Sequence, residues 1–171
     1  MLVIHGTKKF RDRVGGPSAA DLDATTSELG SWYATVLFWK PQVALLVNEV
    51  TLLPLFMPFA PSATLLRRVP GALATLLRAH RAPTWLIEEE TAQAQKCVLT
   101  PTQSRSVVGV MTEFTHLAEH RRGAGVTDDL LDLSVELART PTSPLYKTYT
   151  SPDRALAAFV EERQSGAGRF S

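Results

Sequence analysis

Apolar and polar positions fall in distinct blocks along the chain, and each block predicts an element. "MLVIHGT" (1–7) is a short apolar run and predicts a first strand. "KKFRDRV" follows with helical spacing between Phe10 and Val14. "GGPSAADLDATTSELG" (15–30) is small, polar and Gly-rich, which predicts a surface loop. "SWYATVLFWK" and "QVALLVNEV" then read as two strands joined by a turn at Lys40-Pro41. In the first of these, Trp32, Ala34, Val36 and Phe38 share one face, and Tyr33, Leu37 and Trp39 lie towards the other. "TLLPLFMPFA" is a third strand. Its prolines cannot donate to a ladder, so it belongs on an edge or is irregular. Short turns between these three predict an antiparallel meander.

The pattern then turns helical. In "PSATLLRRVPGALATLLRAHRAP", Leu65, Leu66, Val69, Leu73, Leu76 and Leu77 form one stripe, with Ser62 as N-cap. Pro70 should kink or divide this helix. "TWLIEEETAQAQ" predicts another helix, "KCVLTP" a strand, and "VVGVMTEFTHLAEHRR" and "TDDLLDLSVELAR" two more helices. "TPTSPLYKTYTSP" predicts a loop. "SPDRALAAFVEER" is a last helix, with Ser151 at N-cap and Pro152 at N1, and "QSGAGRFS" should fray. Strands come early and helices late. The expected class is α+β, an antiparallel sheet with helices against one face. Residues 1–124 would form the core and residues 125–171 a helical extension packed on it.

Composition narrows the function classes. The chain has 171 residues, 44% of them apolar, which suits one globular domain. Eighteen basic residues against seventeen acidic ones remove the footprint of a general nucleic-acid binder. The single cysteine, Cys97, excludes an internal disulfide and a cysteine-based zinc site, and predicts a buried core thiol in a reducing compartment. The most apolar region, 34–60, is interrupted by Lys40, Pro41, Asn48, Glu49, Pro54 and Pro58, so no membrane span is expected. No signal peptide is visible, and a bacterial cytoplasmic protein is expected.

Four groups of residues invite chemistry. "GTKKF" carries Lys8 and Lys9 at a strand-to-helix turn, a crude phosphate cradle without P-loop spacing. In "SRSVVGV", Arg105 and Ser106 suit an anion at a helix start, or Arg105 a buried pair with Glu49. Ser104 or Ser106 would cap that helix. "HLAEH" places His116, Glu119 and His120 in the inverted zinc-protease pattern, which chance also produces in such a chain. Trp32, Tyr33 and Trp39 near Lys40 suit base stacking, or ordinary cross-strand packing.

Three ordered stretches carry a resemblance. The "TKK" start, "SWYATVLFWKPQVALLVNEVTLLP" and "RSVVGVMTEF" together resemble an uncharacterised family of small bacterial proteins, a domain of unknown function. Its members open with T-K-K-L, have an aromatic strand pair ending in N-E/D-x-T-L, and close with a motif like N-R-S-V-L-G-S-M-N-D-F. The resemblance covers roughly residues 3–120 and implies a shared fold but no activity. By that likeness Lys8, Lys9, Asn48, Arg105, Ser106 and Gly109 match the family's polar marks. Ser104 departs from its Asn, and Thr112-Glu113 from its Asn-Asp.

With no complete catalytic constellation, the sequence points to a non-enzymatic binding or protein-interaction module without cofactor. Its partner would be another protein, or a second copy through an exposed edge strand. One alternative is an enzyme or binder of a phosphorylated or carboxylated small molecule, through Lys8, Lys9 and Arg105, with Asn48 and Ser106 nearby. Others are local nucleic-acid binding through Arg67, Arg68, Arg78 and Arg81, and zinc hydrolysis through the histidine pair.

Overall fold

A computed structural model describes residues 1–15, 27–123, 125, 129–142 and 150–168. The predicted loops at 15–30 and 140–152 fall largely outside these residues, and the end expected to fray is helical as far as Gly168, with 169–171 outside the described residues. The strands are β1 (Leu2–Gly6), β2 (Trp32–Leu37), β3 (Val43–Asn48), β4 (Pro54–Pro58) and β5 (Cys97–Pro101). They form one sheet in the order β4-β3-β2-β1-β5. The predicted meander is present, since β2–β3 and β3–β4 pair antiparallel. The sheet is nevertheless mixed, not purely antiparallel, because β1 pairs parallel with both β2 and β5. The cause is connectivity. Chain passing through a helix crosses over the sheet and returns in the same direction.

The helices are α1 (Lys8–Val14), α2 (Leu65–Ala79), α3 (Thr84–Ala94), α4 (Arg105–Gly123), α5 (Leu130–Leu137) and α6 (Pro152–Gly168). They cover both faces of the sheet, where one face was expected. Trp32, Ala34 and Val36 of β2 join a core with Phe10 of α1, Leu73 and Leu76 of α2 and Leu86 of α3. Tyr33 and Leu37 join a second core with Val110 and Phe114 of α4 and Leu133 and Leu137 of α5. The alternation along β2 is as read from the sequence. Its second face is also apolar, continued by Val43, Leu45 and Val47 of β3, so it too must be covered. Pro70 does not divide α2, which runs from Leu65 to Ala79 with Pro70 buried inside it. Ser62 starts a short 3-10 turn and makes no cap bond to α2. Among the described residues no helix is long and apolar enough to cross a membrane.

Strand β4 is an edge, as its prolines predict, and its outer side is closed. Phe56 N–H donates outward to Ser134 Oγ of α5 at 2.9 Å. Pro54 and Pro58 share that outward parity and carry no N–H. The edge therefore offers no free donor to another strand.

Asn48 holds the β3–β4 turn. Fully buried, its Nδ2 donates to Leu29 O at 2.8 Å, and its Oδ1 accepts from Thr51 N at 2.8 Å, Val50 N at 3.1 Å and Thr51 Oγ1 at 3.0 Å. Thr51 Oγ1 in turn accepts from Leu53 N at 3.2 Å. Glu49 Oε1 accepts from Ser31 N at 2.8 Å. One side chain thus ties the turn to the chain entering β2. Asn48→Ala leaves buried donors and an acceptor unpaired, and should lower stability by about 2–4 kcal/mol. Urea unfolding checks this. An unchanged midpoint would remove Asn48 from this role.

Candidate functional site

The connections around β1 create a crevice. Chain leaving β1 passes to α1, whose Phe10 enters the first core. Chain leaving β5 passes to α4, which packs on the opposite face. Neighbouring parallel strands whose helices diverge to opposite faces open a gap at their carboxyl ends, the usual ligand position in such sheets. Beside that gap lies a cleft of ≈ 240 Å³ between the start of α1, the end of β2 and α4. Thr7, Lys9, Thr35, Thr112, Thr115 and His116 supply its polar lining.

Thr7 occupies the N-cap position of α1, yet its side chain makes no cap bond. Its Oγ1 lies 3.1 Å from Thr35 Oγ1. Two hydroxyls bonded to each other use one hydrogen between them, so the second remains free to donate. Thr35 is buried, and Lys9 is exposed at the cleft rim. Thr112 and Thr115 donate to the carbonyls of Val108 and Met111 within α4, leaving their oxygens as acceptors. This hydroxyl pair escaped sequence reasoning. Thr7, Thr35 and Thr112 are far apart in the chain, and the only local sign is the threonine just before α1.

The residues expected at a site are scattered. Lys9 lines the cleft. Lys8 faces solvent and pairs with Asp12 at 3.2 Å. Asn48 lies in the core, occupied with its turn. Arg105 and Ser106 are both exposed at the start of α4, so Arg105 is not the buried partner of Glu49. The reason is helix phase. Val107, Val110 and Met111 take the inward positions, and Arg105 shares a face with Val108 and Thr112. Ser104 caps α4, accepting from Val107 N at 3.3 Å, and its own N–H donates to Tyr33 Oη at 3.1 Å. Gly109 is exposed, with nothing within 4 Å of where a Cβ would stand.

His116 and Glu119 approach only to 4.0 Å on the outside of α4, and His120 is exposed. Among the described residues no three His, Cys, Asp or Glu side chains are grouped to hold a metal ion. Of the arginines on α2, Arg68 is occupied by the carbonyls of Pro58, Phe59 and Pro61 and is a structural clamp.

A family model described as a domain of unknown function, DUF6933, matches residues 3–155. The chain belongs to this family. No curated protein and no solved structure matches it. The stretches that carried the resemblance all lie within the DUF6933 match, and the structure gives each a place. Thr7 and Lys9 border the cleft, Asn48, Glu49 and Thr51 build the β3–β4 turn, and Val107, Val110 and Phe114 seat α4 on the sheet.

Buried titratable groups lie away from the cleft. Burial pushes the Cys97 thiol up to about 11, and Sγ donates to Ala94 O at 3.2 Å, so this cysteine is a core residue. Burial also lowers His80 below the ordinary histidine range, with Asp153 opposing and Arg139 adding to the shift. Glu90 of α3 is fully buried and accepts from Ser27 Oγ and from Leu29 N at 2.9 Å, anchoring the chain that enters β2. Burial raises its carboxyl above the usual range, outweighing those bonds. A raised folded value means that stability from this group is fullest below the unfolded pKa and is lost as pH rises through the folded one. Glu90→Gln removes that dependence. Its melting temperature relative to the parent should therefore climb as pH rises from about 4.5 towards 8. A constant difference across that range would contradict the assignment.

Proposed function

We propose that the protein is a non-enzymatic binding module of the bacterial cytoplasm, and that its cleft takes a small phosphorylated or carboxylated molecule. The observation that carries this reading is the Thr7–Thr35 hydroxyl pair beside Lys9. A hydroxyl with a hydrogen to donate and an ammonium at the rim suit an anionic oxygen. The cleft, at ≈ 240 Å³, is smaller than the ~300–1,000 Å³ of drug-sized pockets, so the ligand is correspondingly small. Arg105 shares a helix face with Val108 and Thr112, which line the cleft, but is not itself part of the lining.

Binding is favoured over catalysis because no cleft hydroxyl among the described residues bonds to a base. Thr7 and Thr35 bond to each other, and Thr112 and Thr115 to helix carbonyls. Activating a hydroxyl as nucleophile needs a base within hydrogen-bond reach. The lone, buried Cys97 accords with a reducing compartment.

Thermal unfolding with inorganic phosphate and a set of short phosphorylated and carboxylated acids tests the proposal. A ligand present at about 100 times its Kd should stabilise the parent by about 2.7 kcal/mol. Thr35→Val, nearly the same shape without the hydroxyl, should lose most of that gain. If no compound shifts the parent, or if Thr35→Val responds equally, the cleft is not the seat.

A further inference from the structure

The corner where β2 turns towards β3 combines exposed aromatic surface with positive charge. Phe38 is 52% exposed, the highest value among the exposed large apolar side chains of the described residues. Lys9 Nζ stands 5.3 Å and the Arg13 guanidinium 4.7 Å from its ring centroid. The next residue, Trp39, is half-buried and stacked on Phe56 with centroids 6.3 Å apart. The Arg122 guanidinium of α4 lies 4.2 Å from the Trp39 ring centroid. Lys40 follows, exposed.

Two cations, Lys9 and Arg13, stand over Phe38 and a third, Arg122, over Trp39, and Lys40 follows them in the chain. Among the described residues none of them meets a carboxylate within ion-pair distance. Asp12 beside them is engaged by Lys8, and Glu119, one turn before Arg122, faces His116. Arg121 is already paired with Glu136. The whole chain carries a formal charge of only +1, so this corner is a local concentration and not a reflection of overall charge.

We propose that this corner docks an acidic segment of a protein partner, one that sets carboxylates beside an apolar side chain. Charge complementarity selects the acidic character. A guanidinium lying over a ring is held in place, and its N–H edge remains available to fork a carboxylate. An exposed phenylalanine with arginines beside it is also the composition of interface anchors. Single-stranded nucleic acid fits less well. Base stacking needs open ring surface. The Trp39 ring is engaged by Phe56 and Arg122, and the Phe38 ring carries Lys9 and Arg13. This surface meets the cleft at Lys9, which belongs to both, but Arg13, Phe38, Trp39 and Arg122 lie outside the cleft lining, and the proposal does not rest on the ligand proposed there.

Fluorescence anisotropy with the full chain decides the matter. The probes are a short labelled peptide alternating glutamate with leucine, its lysine–leucine counterpart, and labelled oligothymidylate. The acidic peptide should bind, more weakly as salt rises. Arg13→Gln and Arg122→Gln should each weaken it several-fold, and together by about tenfold or more. Arg67→Gln, which removes an exposed cation on α2, and Thr35→Val, which disables the cleft, should leave it unchanged. Failure of the acidic peptide to bind overturns the proposal. So does equal loss with Arg67→Gln, or tighter binding of oligothymidylate that depends on the same arginines.

Discussion

Every residue of β1, β2 and β3 is buried, and the remaining architecture follows from that constraint. A strand with water on one side needs one partner layer. A strand buried on both sides needs two. The chain meets the demand by sending α2 and α3 to one face and α4 and α5 to the other. Diverging helices on the neighbouring parallel strands β1 and β5 then open a crevice at their carboxyl ends, with the cleft beside it. The cleft is thus a by-product of covering a two-faced sheet, and its lining comes from three separate elements.

Much of this was legible in the sequence, and the reasons differ between elements. The faces of β2 were readable because alternation is a local pattern, and Trp32 and Tyr33 do point to opposite cores. The edge position of β4 was readable because proline cannot serve a central ladder. The parallel pairing of β1 was not. It depends on how the chain returns over the sheet, and no short window records that. Whether Arg105 is buried or exposed was not legible either, for a related reason. A polar residue at a strand-to-helix junction has no intrinsic phase, and the inward positions of α4 are set by Val107, Val110 and Phe114.

Asn48 shows how a polar residue in a resemblance motif can be architectural. Its amide bonds to two segments of chain at once, and Glu49 and Thr51 beside it complete the same turn. Thr7 behaves in the opposite way. It occupies a capping position and leaves the cap unmade, turning to Thr35 instead. A local rule broken without a local reason is where function is best sought.

The closed side of β4 has a consequence for assembly. Sheets extend between molecules when both borders accept a strand, which allows copies to add without limit. Here Pro54, Pro58 and the Ser134 hydroxyl close one border, and only the β5 side remains. Two copies joined through β5 would present closed borders at both ends. Growth by strand pairing is therefore disfavoured beyond a pair.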